Sequence, residues 1–213
     1  MRIDWDDSMR VLIAVPTFEN IYPDTYKALW DMDKGEHEII FDFVRGYDCA
    51  SARNNIVQLA QGYNADYILM VDSDVTPPKD ALLNLMSHNV DVCLGYYAHR
   101  NRANDETAKT CLCKPGELNY TQQFTVDEIK SKRDHGEYLF RVHGGGMGCA
   151  LIRTSVFNRI HYPYYDWVNY RDERHSLLSE DLYFCEQCKG AQIKIYGDSR
   201  VGCGHMFRRI LEV

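Results

Sequence analysis

Apolar positions recur along the chain with two different periods. Residues 11–15 form an apolar, β-branched run ending at Pro16, which suits a strand buried on both faces of a parallel sheet. Residues 38–44, 67–71 and 90–97 give three further strand signals. Between them the period lengthens to that of a helix. Asp24 is placed to cap a short helix through Trp30, and Ile56, Val57, Leu59 and Ala60 recur at helical spacing within 51–62, with Gly62 as the stop. A third helix starts near Pro78 and carries Ala81, Leu82, Leu83 and Leu85. Strands alternating with helices predict an α/β fold with a mostly parallel central sheet flanked by helices. Such sheets bind ligands beyond the C-terminal ends of their strands, so Pro16-Thr17-Phe18 and Asp72-Ser73-Asp74 are expected on one rim.

The pattern then changes. Residues 100–136 are polar and turn-rich, without clear periodicity until 124–129, and read as an inserted excursion. Residues 138–142 and 148–152 predict strands around a glycine-rich bend, a small antiparallel addition to the sheet. Residues 180–189 predict a helix with Ser179 as N-cap, and 192–196 a last strand.

The 213 residues suit one domain, and a formal net charge of -7 disfavours extended nucleic-acid binding. The basic stretches at 130–133 and Arg208-Arg209 are short and read as solvated faces. No run of 18 apolar residues is present, so no transmembrane segment is expected. The charged residues 1–10 lack the apolar core of a secretory signal. Eight cysteines without such a signal imply reduced thiols and a cytoplasmic location.

Asp72-Ser73-Asp74 follows an apolar strand and precedes Thr76-Pro77-Pro78. Carboxylates at i and i+2 across a turn can converge on Mn2+ or Mg2+, which bridges diphosphate oxygens. A turn in which aspartate accepts backbone hydrogen bonds has the same sequence. Arg53, at the start of its helix, suits a charge-assisted bond to phosphate, or a surface position. Gly144, Gly145 and Gly146 allow close backbone approach to a ligand or a tight bend. Glu180 and Asp181 open a helix, where acids complement the dipole. Glycosyl transfer also needs a carboxylate near the acceptor hydroxyl, with Asp181 the first candidate and Glu180 the second. His205 could complete a metal shell with the two aspartates.

These pieces occur in an order that resembles the metal-dependent, DxD-containing glycosyltransferases of the GT-A fold. The blocks are VLIAVPTFEN, ARNNIVQLA, ADYILMVDSDVTPP, HGGGMGCALIRTSVF and SEDLYFCEQCKGAQIKIYGDSRVGCGH. The chain looks closest to compact family-2-like enzymes of phages, large DNA viruses or bacteria. The resemblance implies one catalytic domain over 1–213, with a nucleotide-binding part at about 10–98 and a sugar and acceptor part at about 99–213. It implies that Asp74 and His205 bind the metal directly, while Asp72 contacts metal and ribose and Ser73 lies between them. Arg53 would lie near the diphosphate, Pro16, Thr17 and Phe18 around the base, and Gly144 to Gly146 near the donor sugar. Asp181 would be the base of an inverting enzyme or an ion-stabilising group in a retaining one. The donor implied is a nucleotide-sugar, a UDP-hexose such as UDP-glucose before a GDP-sugar, and the acceptor a glycan or other hydroxyl. Two positions depart from the pattern: the acid after the second strand has no secure match, and Val75 stands where a third acid often follows DxD.

Three rival readings remain at the level of sequence. Cys111, Cys113, Cys185 and Cys188 could form a structural zinc site, although CxC spacing suits it poorly. A non-catalytic nucleotide-sugar or glycan-binding module would keep Arg53 and the glycines without needing Glu180-Asp181. A nucleotidyltransferase also pairs acids with Mg2+ but needs a glycine-rich, basic triphosphate loop that PTFEN lacks. The aromatic run at 162–167 reads as an acceptor platform, a lid, or core packing.

Overall fold

The computed structural model describes residues 8–18, 20–99, 107–116, 120–168 and 178–206. In chain order its first half is β1 (Arg10–Thr17), α1 (Pro23–Asp31), β2 (Glu38–Arg45), α2 (Cys49–Gly62), β3 (Tyr67–Val71), β4 (Val75–Thr76), α3 (Ala81–Met86) and β5 (Val92–Tyr96). The second half is β6 (Lys109–Cys113), β7 (Gln123–Thr125), α4 (Val126–Asp134), β8 (Leu139–Val142), β9 (Gly144–Gly145), β10 (Cys149–Arg153), a 3-10 turn (Thr154–Asn158), α5 (Glu180–Gly190), β11 (Ile195–Gly202) and β12 (Gly204–His205).

Seven strands form the central sheet in the order β2-β1-β3-β10-β5-β11-β8. β1 runs parallel to β2 and β3, and β11 parallel to β5, whereas β10 and β8 are antiparallel to their neighbours. The expected mostly parallel sheet flanked by helices is present. Every residue of β3 is buried because paired strands cover both of its edges and side chains cover both of its faces. Each such valine, leucine or isoleucine contributes roughly 1.5–3 kcal/mol over an exposed one. The direction of β10 was not anticipated: it lies antiparallel between β3 and β5, with Ala150 opposite Met70 and Leu94. A separate sheet, β7-β6-β9, supplies the antiparallel addition beside the glycines.

Element boundaries follow local backbone chemistry. α1 takes Tyr22 as N-cap with Pro23 at its start, and Asp24 stands in the first turn rather than at the cap. α2 begins earlier than its apolar spacing suggests, because the Asp48 carboxylate accepts from Ser51 N at 2.7 Å. Gly62 is the last residue of α2, and Asn64, with φ of 52°, takes the left-handed position beyond it. The last strand starts at Ile195 because Gln192 is left-handed at φ 59°, and it runs on to Gly202. Ser179 does occupy the N-cap of α5, but its side chain makes no capping hydrogen bond. Within the supposed excursion, Thr125 and Glu128 form a reciprocal capping box that starts α4. Among the described residues, no helix is long and apolar enough to cross a membrane.

Candidate functional site

The antiparallel course of β10 builds one rim. Cys149 lies opposite Val71, so the residues before β10 meet the residues after β3. Asp72 N donates to Gly148 O at 3.0 Å, and Tyr22 N donates to Ser73 O at 3.0 Å, which ties the loop after β1 to the aspartate turn. Pro16 is buried, the Thr17 hydroxyl donates to Asn20 O at 3.1 Å, and Phe18 is largely exposed on the same rim.

The turn Asp72–Val75, closed by Val75 N donating to Asp72 O at 3.0 Å, sends the two carboxylates to different partners. Asp72 Oδ1 accepts from Arg53 Nη2 at 2.9 Å. Arg53 is 2% exposed and also faces the first turn of α5, with Nε 3.3 Å from Asp181 Oδ1 and 3.7 Å from Glu180 Oε1. These last two are ion-pair distances without hydrogen-bond geometry: Nε and Nη1 of Arg53 and Oδ1 of Asp181 have no hydrogen-bond partner among the described residues. One guanidinium thus stands among three carboxylates. Burial pushes the Asp181 carboxyl up to about 7, and the negative charges of Glu180 and Asp72 add to the rise. Arg53 and the Met147 backbone N–H oppose it without restoring an ordinary carboxylate value. A carboxyl that titrates near neutrality is suited to proton transfer.

The surface reading of Arg53 is therefore wrong. The signal was available: Ile56, Val57 and Ala60 lie three, four and seven positions after Arg53, on the buried face of α2.

Asp74 belongs to a second cluster. β12 pairs with β4, placing His205 opposite Val75, and Met206 N donates to Asp74 O at 2.8 Å. His205 Nδ1 lies 3.0 Å from Ala98 O, which can only accept, so Nδ1 carries a proton and, in the neutral ring, Nε2 is the acceptor nitrogen. Nε2 faces Asp74 Oδ2 at 3.8 Å. Two ligand atoms that share one small divalent ion lie about 3–4 Å apart, so this pair fits such an ion. Among the described residues no group of three or more His, Cys, Asp or Glu side chains is arranged to hold a metal. Asp72, expected to share the metal, is turned to Arg53 instead.

Gly144, Gly145 and Gly146 all have negative φ or extended backbone, and protein atoms occupy the space that a Cβ would need. A methyl would meet the Cys185 sulfur and Tyr120 ring at Gly144, Leu112 at Gly145, and the Tyr97 hydroxyl at Gly146. The close approach these glycines permit is thus to Tyr97, β6 and α5. Gly148 N donates to the Tyr97 hydroxyl at 3.2 Å, and the Tyr97 ring meets His205 edge-on at 5.0 Å.

Asn54, unremarked in the sequence, holds the aromatic run in place. Its Nδ2 donates to Ala50 O at 2.9 Å and Tyr165 O at 2.7 Å, and its Oδ1 accepts from Tyr164 N at 2.9 Å and Tyr165 N at 3.2 Å. Tyr165 is buried and stacks on Phe184, whereas Tyr162 and Trp167 are exposed, so core and surface readings of the run each hold for part of it.

The four cysteines of the zinc reading lie in apolar packing. Sγ of Cys111 and of Cys185 donate to Gly95 O and Gly145 O, and burial pushes the Cys111 and Cys188 thiols up to about 12 and Cys113 to about 11. Among the described residues these four are not gathered into a group that could hold a metal.

No protein-family model and no curated protein matches this chain. Its fold is similar to the crystal structure of A197 from STIV, with a TM-score of 0.64 and 17% identity over 94% of this chain and 87% of that one. At that identity the likeness concerns the fold alone.

Proposed function

We propose that this chain is a metal-dependent glycosyltransferase of GT-A type that moves a hexose from a nucleotide-sugar, a UDP-sugar first among the candidates, to a hydroxyl of a glycan or similar acceptor. The observation that carries the reading is the position of Arg53 between Asp72, in the turn after β3, and Asp181, titrating near 7, in the first turn of α5. Asp72 meets Arg53 and Asp74 meets His205 from one short turn, and Arg53 also faces Asp181, a grouping that suits a diphosphate donor and a hydroxyl acceptor meeting there.

Asp74 and His205 are the residues that would hold Mn2+ or Mg2+, with diphosphate oxygens and water filling the other positions. When bound, the ion would neutralise charge on the departing nucleoside diphosphate. The chain's own groups supply the rest. Two nitrogens of Arg53, Nε and Nη1, make no hydrogen bond among the described residues, and Nη1, which has no ion-pair contact with Asp181 or Glu180, is the one that would turn to a phosphate oxygen. Asp181 Oδ1 accepts no hydrogen bond, and Met147 N–H steadies its carboxylate, so it can take the acceptor's proton as the new bond forms. Exposed Tyr162 and Trp167 offer faces for a sugar ring beside α5.

The test is UDP release from UDP-glucose with and without Mn2+, in wild type and Asp74→Ala. Turnover that needs the metal and vanishes in the variant supports the reading. Binding of nucleotide-sugars without turnover, over a panel of donors and acceptors, would sink it in favour of a binding module.

A further inference from the structure

A second feature lies at the β2 edge of the sheet. β2 is an outer strand of the central sheet, and one of its edges has no partner strand among the described residues. Ile39, Phe41 and Phe43 alternate along it and so share one face, where Phe41 and Phe43 meet edge-on at 4.9 Å. α1 flanks that face with Tyr26 and Trp30, stacked at 6.3 Å. Together with Leu29 and Lys34 these side chains line a groove of about 470 Å³. Trp30 is 72% exposed, Tyr26 46%, Phe43 40% and Phe41 39%. Four large aromatic rings on one open face are more than scattered surface hydrophobes, and they adjoin an eight-residue strand with unpaired backbone groups.

Its polar content also narrows the occupant. Lys34 Nζ is engaged by the carbonyls of Leu29, Trp30 and Met32, at 3.2, 3.1 and 2.8 Å. The groove thus offers apolar surface and a strand edge, which fit an extended strand with apolar side chains at alternate positions. β2 is itself such a strand.

We infer that β2 is the interface of a two-fold homodimer, pairing antiparallel with β2 of a second copy so that the two aromatic grooves fuse. A two-fold axis normal to the sheet must pass through a residue paired with itself, because cross-strand neighbours share a face. The charges choose among the centres. Centring on Ile40 sets Glu38 against Asp42 of the other copy, and centring on Asp42 sets that carboxylate against itself. Centring on Phe41 pairs residues 38–44 with no charge opposite a like charge: Phe41 meets Phe41, Ile39 meets Phe43, and Glu38 meets Val44.

The test is light scattering of the full chain after gel filtration, over a concentration series, in wild type, Phe41→Lys and Trp30→Glu. The dimer predicts a wild-type mass twice that of the monomer at high concentration. It also predicts at least tenfold weaker association in each variant, with an unchanged circular dichroism spectrum. Trp30 is exposed on a helix, so Trp30→Glu stays informative should Phe41→Lys fail to fold. A wild-type chain that stays monomeric at the highest concentration, even one whose groove binds a hydrophobic peptide or dye, would overturn the inference. So would a dimer that a folded Trp30→Glu leaves equally tight. None of these outcomes depends on turnover.

Discussion

Arg53 Nη2 and Asp72 Oδ1 lie 2.9 Å apart, and this pair joins the first helix of the rim to the end of the central strand β3. Behind it, Glu180 and Asp181 face the same guanidinium. Removal of Arg53 would leave three clustered carboxylates without their cation. Arg53→Ala is expected to cost about 3–5 kcal/mol. The loss should be smaller at pH 5 than at pH 8, because protonation relieves the carboxylates. Urea unfolding at the two pH values measures it, and a loss independent of pH would contradict the electrostatic account.

Asp181 has an ordinary carboxyl value of 3.8 when unfolded and about 7 when folded. Between these values the folded chain holds a proton that the unfolded chain does not, so its stability falls as pH rises through that window. Asp181→Asn removes this slope and should be the more stable protein at pH 8, by on the order of 2 kcal/mol. The same variant should lose at least about a hundredfold in turnover. In wild type kcat/KM should climb with pH up to a limb near 7, which pH–rate profiles beside pH–melting curves would reveal.

Asp74→Ala and His205→Ala are each expected to abolish the extra thermal stabilisation that Mn2+ gives in the presence of UDP-sugar. At a ligand concentration of about 100 Kd that stabilisation is about 2.7 kcal/mol in an intact site. Scanning calorimetry with and without EDTA reads it directly. Unchanged metal-dependent shifts in both variants would remove this pair from the metal assignment.

Asn54 satisfies four backbone groups with one amide. Asn54→Ala should cost about 2–4 kcal/mol through buried groups left unpaired. Hydrogen exchange should accelerate at Tyr164 and Tyr165 before it does in β1 or β3. Uniform exchange across the chain would show that the amide holds nothing local.

Gly146→Ala places a methyl against the Tyr97 hydroxyl and should cost about 1–3 kcal/mol by overpacking. Tyr97→Phe removes the oxygen involved. The double variant should therefore be less destabilised than the sum of the two singles, and denaturant midpoints for the four proteins close the cycle.

The sheet strands were legible because they are apolar over their whole length, and a strand buried on both faces has no other composition open to it. The shared rim followed from strand order alone. What the residues concealed was direction and partnership. Nothing local in Cys149–Arg153 distinguishes an antiparallel central strand from a parallel one; its neighbours decide that. Similarly, the DxD spacing suggested two carboxylates on one ion, but a one-turn bend separated them, and the nearest cation to Asp72 came from residue 53. The glycine run alone admits either a ligand or a tight bend, and which neighbours fill the space depends on Tyr97, β6 and α5, each remote in sequence. Asn54 looked like one polar residue among several, since three of the four groups it satisfies lie more than a hundred positions away.

The interleaving of β10 has a consequence for how the molecule comes into being. β3 and β5 make no ladder with each other; each is joined to the sheet's other half only through Cys149–Arg153. A nascent chain that has reached residue 130 therefore holds β2-β1-β3 as one group and β5 as a lone strand, without the strand that joins them. The last sheet strand, β11, then needs β5 already in place. Completion must wait for pairings across long sequence separations, which folding reaches slowly. The rim that gathers Asp72, Gly148 and Asp181 can exist only after that wait, so the residues of the site come together in one late step rather than in stages.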